Sequence, residues 1–121
     1  MHSRAEIRIR QHSTAGVRVI EVAGEVDIST VASFDAAMDE AFDQDERLIT
    51  VDLLGVDFMD SSMVHALLRA RRRAGMVDAE IAVVCAADTV CRVLTLAAVD
   101  KVIEIYPTRD EAIAGFGRHD G

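Results

Sequence analysis

Tryptophan is absent from this 121-residue chain, which holds one tyrosine, four phenylalanines and one proline. A core with so few rings must be aliphatic, and nothing in the sequence reads as a Pro-rich linker, an internal repeat or a low-complexity stretch. No apolar run approaches the ~20 residues needed to cross a bilayer. The N-terminus MHSRAEIRIRQ also lacks the apolar centre of a signal peptide, so the expectation is a cytoplasmic protein with no membrane insertion. Basic residues are outnumbered, 13 against 21 acidic, and the net charge of −8 opposes the phosphate neutralisation on which nucleic-acid affinity rests. DNA and RNA are therefore excluded as expected partners. The two cysteines, Cys85 and Cys91, lack a CxxC spacing and sit among apolar residues, which reads as two reduced core residues without chemistry. His2, His12, His65 and His119 are scattered outside any HExxH or Cys–His pattern, so no metal site is expected. No GxxxxGK[ST] loop occurs, and no cofactor is expected.

What is present is a balanced globular composition, half hydrophobic and 28% charged, at a length that closes one core but not two. We therefore expect a single domain over 1–121, with its core at about 5–115. EIRIRQ (5–10) and VRVIEVA (17–23) alternate apolar and polar residues around a turn at HSTAG, the pattern of an antiparallel hairpin. Ser29 or Thr30 then offers an N-cap for a helix that places Val31, Phe34, Met38, Ala41 and Phe42 on one face. LITVDL (48–53) reads as a strand, LGVDFMD as a loop, and a helix is expected from about Ser62 to Ala74. IAVVC (81–85) is a short buried strand, and Asp88 caps a helix with Val90, Val93, Leu94 and Ala97 on one side. VIEI (102–105) is the last expected strand, and Thr108 with Glu111 forms a capping box for a helix through Ile113 and Phe116. The tail GRHDG is expected to fray. The fold class is α/β: a mixed sheet that opens with an antiparallel hairpin and carries amphipathic helices.

The chemistry-bearing stretch is VDFMDSSMVHALL (56–68). From Val64, 100° steps turn Val64, Leu67 and Leu68 inward and gather His65, Arg69, Arg72 and Arg73 outside, with Arg71 a misfit in the last turn. Asp60, Ser61 and Ser62 then stand at the helix N-terminus, where unpaired N–H groups and the positive dipole end favour anions. Three roles are open to a serine there: a cap worth roughly 0.5–2 kcal/mol, a catalytic nucleophile, or a phosphate acceptor. A phosphoserine carries about −1.5 to −2 charge, which the helix end tolerates while the local surface changes sign.

GEVDIST, VDLLGVDFMDSSMVHALL, the helix after Asp88 and VDKVIEIYPTRDEAI resemble, in order and spacing, the STAS family of bacterial anti-sigma factor antagonists. The resemblance runs from about residue 5 to 115, and DFMDSS between strand and helix is its most specific element. It implies phosphorylation of Ser61 by a cognate anti-sigma factor serine kinase. The unphosphorylated antagonist would bind that kinase and so free a sigma factor, phosphorylation would end the interaction, and a serine phosphatase would restore it. Asp27 and Asp60 match the family's motif acids, and the docking surface is expected at Asp27, Asp60, Ser62, Met63 and His65. The family usually has glycine where Met63 stands and often a small residue at His65; a bulky Met63 beside Ser61 would either block a typical kinase groove or select one kinase among several. It also commonly has glycine near Ala97 and Ala98, so a local change in that turn is expected.

Two rival readings stand beside this one. A serine hydrolase needs a base, an orienting acid and usually a GxSxG elbow; DSSMV is not that elbow, and His65 lies on the outward face. A non-switching STAS subunit of a membrane transport or signalling-scaffold complex would keep the fold while altering the serine's neighbourhood, as Met63 and His65 suggest. Asp35, Asp39 and Asp43, four residues apart, form either a solvated face or a stripe for a basic partner. The sequence carries no signal for an oligomeric state.

Overall fold

The computed structural model describes residues 5–86 and 88–118. The chain enters as an antiparallel hairpin, β1 (Ile7–Thr14) and β2 (Val17–Val26), in a register from Ile7 opposite Gly24 to Thr14 opposite Val17. Only Ala15 and Gly16 form the turn, both at positive φ (53° and 79°), the twist a two-residue hairpin needs. The turn expected over HSTAG is thus shorter, because His12, Ser13 and Thr14 stay paired.

Three strand–helix–strand crossovers follow: α1 (Val31–Asp43), β3 (Leu48–Met59), α2 (Ser61–Met76), β4 (Glu80–Val84), α3 (Thr89–Leu96) and β5 (Glu104–Tyr106), then α4 (Arg109–Arg118). The strands lie in sequence order, and every neighbouring pair after the hairpin is parallel. Stepping always in one direction with crossovers of one hand places the connecting helices on one face. Phe34 and Met38 of α1, Leu67 of α2 and Leu94 of α3 accordingly share a core with Ile20, Ile49 and Val51. Helix α4 crosses to the other face, where Ala112 and Phe116 pack on Val17, Ala82 and Val84. It reaches β3, β4 and β5, which leaves this face of β1 and of the far half of β2 without a helix among the described residues.

Strand β3 runs six residues beyond the expected LITVDL, through most of the presumed loop. Register shifts between Glu21 and Ala23 and between Gly24 and Glu25 let it keep pairing with β2 as far as Met59 opposite Val26. Those shifts also break the period-2 pattern that would have marked it as a strand. The last strand is the converse case: of the expected VIEI only Glu104 and Ile105 are strand, in β5 (Glu104–Tyr106), because a 3-10 turn at Val99–Lys101 carries on into Val102 and Ile103, where the Ile103 N–H donates to the Val99 carbonyl (2.9 Å). Ala98, at φ 62°, holds a left-handed conformation that suits glycine. Helix α4 continues past Phe116 to Arg118; residues 119–121, with the tail's expected fraying, and His2 and His119 lie outside the described residues.

The aspartate stripe of α1 and the arginines of α2 turn out to be each other's partners. Arg69 pairs with Asp35 (2.9 Å), and Arg73 with both Asp39 and Asp43 (2.9 Å to the latter), while lying 5.1 Å from the Phe42 ring centroid. Exposed pairs of this kind contribute only about 0–1 kcal/mol each, but together they align the two helices. Arg71, the misfit, donates to the Val102 carbonyl (2.9 Å). A buried charge appears on the other face: Asp52, 4% exposed, accepts from Arg109 Nη2 (2.7 Å) and Nε (3.1 Å) and from the Leu54 N–H (2.9 Å). Cys85 is buried and Cys91 half-buried, both free; burial, with Cys91 beside it, pushes the Cys85 thiol up.

Candidate functional site

Strands β2 and β3 end side by side, and the Asp60 N–H donates to the Val26 carbonyl (3.2 Å). The loop that begins at Asp27 and the loop that delivers Ser61 are therefore tied together at the C-terminal edge of the parallel strands, where open α/β sheets present their binding sites.

Asp60 is the N-cap of α2. Its backbone is extended (φ −116°, ψ −167°), its Oδ1 accepts from the Ser62 N–H (2.8 Å), and its carbonyl accepts from the Met63 N–H (3.1 Å). The capping role considered for a serine thus belongs to the aspartate, whose charge also suits the positive end of a 16-residue helix. Ser61 is left as the first helical residue, exposed, and among the described residues its hydroxyl has no hydrogen-bond partner. Ser62 is half-buried beside it, and His65 is exposed one turn further on, the i+4 neighbour of Ser61.

Met63 does not share this surface. Its side chain is 0% exposed and belongs to the main core with Ala66, Leu67 and Ala70. The expectation that it would meet a partner is corrected: Met63, Leu67, Ala70 and Ala74 recur at helical spacing, one row round from Val64, and that row faces the sheet. The Met63 side chain fills the interior.

In the other loop, Asp27 organises the entry to α1. Its Oδ1 accepts from the Ser29 hydroxyl (2.6 Å), the Ser29 N–H (2.8 Å) and the Thr30 N–H (3.2 Å), and its carbonyl accepts from the Val31 N–H (2.9 Å). The Ser29 hydroxyl bond, ahead of the backbone donors, holds the Asp27 carboxyl below its ordinary value. Thr30 occupies the N-cap position but makes no side-chain cap; its hydroxyl donates to the Glu25 carbonyl (2.9 Å) and accepts from the Asp27 N–H (3.0 Å). The cap expected of Ser29 or Thr30 is replaced by this Asp27-centred turn.

Sequence reasoning missed Ile28, which stands 82% exposed between Asp27 and Ser29. The available signal was an isoleucine with no apolar neighbour in a run of turn-forming residues. The site thus joins an exposed hydroxyl at a positive helix end, next to the Asp60 cap, to the Asp27 turn with its solvent-facing Ile28, through the backbone bond from Asp60 to Val26. No histidine or acid hydrogen-bonds Ser61 among the described residues, and none of their His, Cys, Asp and Glu side chains form a group of three that could hold a metal.

The family model described as the STAS domain matches residues 7–112. The chain belongs to the STAS domain family. This STAS chain is 26% identical over 100 residues to the anti-sigma-F factor antagonist RsfB of Mycobacterium tuberculosis, covering 83% of this chain and 81% of that protein. It superposes on an anti-sigma factor antagonist from Mycobacterium paratuberculosis with a TM-score of 0.85 at 25% identity, over 91% of this chain and 93% of that one. The anti-sigma factor antagonist SpoIIAA in its unphosphorylated form matches with a TM-score of 0.73 at 25% identity, over 88% of this STAS chain and 93% of its own. Among the described residues, no helix of the STAS chain is long and apolar enough to cross a membrane.

Proposed function

We propose that this chain is a cytoplasmic anti-sigma factor antagonist: unphosphorylated, it binds an anti-sigma factor that is also a serine kinase and so frees a sigma factor, and phosphorylation at Ser61 switches it off. The observation that carries the reading is the exposed Ser61 hydroxyl on the N-terminus of α2, unbonded among the described residues, with the cap already supplied by Asp60. A phosphate there displaces no existing hydrogen bond. The helix dipole tolerates its charge, while Asp27 and Asp60 make the local surface strongly negative. A partner seated on Ile28 and Ser61 then loses an apolar contact surface to a dianion. The protein acts as a binding partner rather than an enzyme; nucleotide and magnesium belong to the kinase, and a serine phosphatase resets the switch. The named similarity to three anti-sigma factor antagonists supports the reading.

The second reading, a non-switching STAS subunit of a membrane transport or scaffold complex, drew on Met63 and His65 as altered surface. With Met63 in the core, only His65 still favours it. Affinity capture from the native cytoplasm with wild type and Ser61→Asp separates the two. An ATP-binding serine kinase held by wild type alone supports the antagonist; a membrane transport complex held by both forms overturns it.

A further inference from the structure

The sheet face opposite α1 and α2 carries a groove of about 520 Å³ between β1, β3 and the start of α4, within the size range of small-molecule sites. Its floor is low because the β2–β3 register shift puts Ala23 opposite Gly55, and the backbones lie so close that a Cβ on Gly55 would come 2.9 Å from the Ala23 Cβ. Leu54, 49% exposed, forms an apolar wall. Arg8 and Arg10 form the opposite wall: β1 alternates, so that Ile7 and Ile9 pack on the main core while these two arginines face the groove.

The charges here are unevenly satisfied. Asp52 and Glu21 also face the groove, but each has its cation: Arg109 donates to Asp52 (2.7 Å) and pairs with Glu21 (3.1 Å), which His12 also contacts (3.0 Å). Arg8 and Arg10 have no ion pair or hydrogen bond among the described residues. Two residues apart on one strand face, they sit ~7 Å from each other, able to share one anionic head.

We propose that this groove binds an amphipathic anion with a single alkyl chain, of the fatty-acid class: the head between Arg8 and Arg10, the chain along Ala23, Gly55 and Leu54. Charge complementarity selects the head, since the only uncommitted charges in the lining are cationic, and guanidinium groups match carboxylate geometry. The low aliphatic floor selects the chain, because no ring in the lining offers a stacking surface. The site is independent of the serine reading, lying on the sheet face away from α2.

The test is calorimetric titration of the full chain with decanoate, with decanol as the uncharged control. Saturable one-to-one binding is expected, weakened roughly tenfold or more in Arg8→Gln/Arg10→Gln and for decanol, and blocked in Ala23→Leu, whose side chain fills the floor. Ser61→Asp should bind as wild type does. Circular dichroism checks that each variant is folded; if Ala23→Leu does not fold, the arginine pair and decanol decide alone. No saturable binding, equal affinity for decanol, or binding indifferent to the arginine changes overturns the proposal.

Discussion

A carboxylate moved from Ser61 to Met63 should change from harmless to ruinous within two residues. At Ser61 the side chain is exposed and, among the described residues, its hydroxyl makes no bond to be lost. A negative group in the first helical turn gains about 0.3–1 kcal/mol from the dipole. Repulsion from neighbouring Asp60 is of the same order, about 1 kcal/mol for charges near 4 Å in water. The two effects nearly cancel, so Ser61→Asp should shift stability by no more than about 1 kcal/mol. At Met63, with the side chain 0% exposed, truncation alone costs about 2–5 kcal/mol. The carboxylate would also be left without a partner, adding about 1–3 kcal/mol or more. A loss above about 4 kcal/mol approaches the whole stability of a small domain. Urea unfolding followed by far-UV circular dichroism reads both variants; with a slope of about 2 kcal/mol/M, the Met63→Asp midpoint should fall by about 2 M while that of Ser61→Asp barely moves. A loss above about 2 kcal/mol at Ser61, or below about 2 kcal/mol at Met63, would refute the assignment of the two faces of α2.

Three further outcomes are expected. Arg109→Met strands the buried Asp52 with only the Leu54 N–H; the cost should be about 2–4 kcal/mol by urea unfolding, below the full buried-pair range because Arg109 is part exposed, and Asp52→Asn in the same background should recover part of it. Ala98→Gly relieves a left-handed alanine and should raise stability by about 0.5–1 kcal/mol in the same assay, where a loss would mean the alanine side chain makes contacts that matter more. Asp27 should titrate below its ordinary value by carbon-detected NMR, chiefly through the Ser29 hydroxyl. A depressed carboxyl stabilises the folded state above its unfolded value near 3.9 and loses that contribution as pH falls through the lower folded value. Ser29→Ala should move the midpoint up, and an unmoved midpoint would exclude the hydroxyl as the cause.

Local signals in the sequence carried well. Asp88 does cap α3, accepting from the Cys91 N–H (3.0 Å), and Thr108 accepts from the Glu111 N–H (3.2 Å) at the start of α4. The α/β class, the hairpin and the serines' place at a helix start were all legible, because turns, caps and periodicity act over a few residues. What escaped depends on distant partners. The end of β3, which carries an extra residue at each register shift, is a strand because β2 lies beside it, and the aspartate and arginine stripes find each other across some thirty residues of chain. The Asp52–Arg109 pair spans 57 positions. Choosing Asp60 over the serines as cap needed the strand-end geometry, and placing Met63 inside needed the direction of the sheet. The pairing of Ser61 with the Asp27 loop rested on family likeness; the link between the two loops is a single backbone hydrogen bond from Asp60 to Val26.

A switch at Ser61 is defined by the affinity of one partner for two forms of this chain. Serine kinase captured from the native cytoplasm should be titrated against the unmodified chain and against the chain carrying phosphoserine at position 61, with unfolding curves recorded for both. The expected result is a fall in affinity of roughly a hundredfold or more, about 2.7 kcal/mol, with stability unchanged within about 1 kcal/mol. Equal affinity for the two forms, or phosphate placed by the kinase on Ser62 instead, would contradict the assignment of Ser61 as the switch.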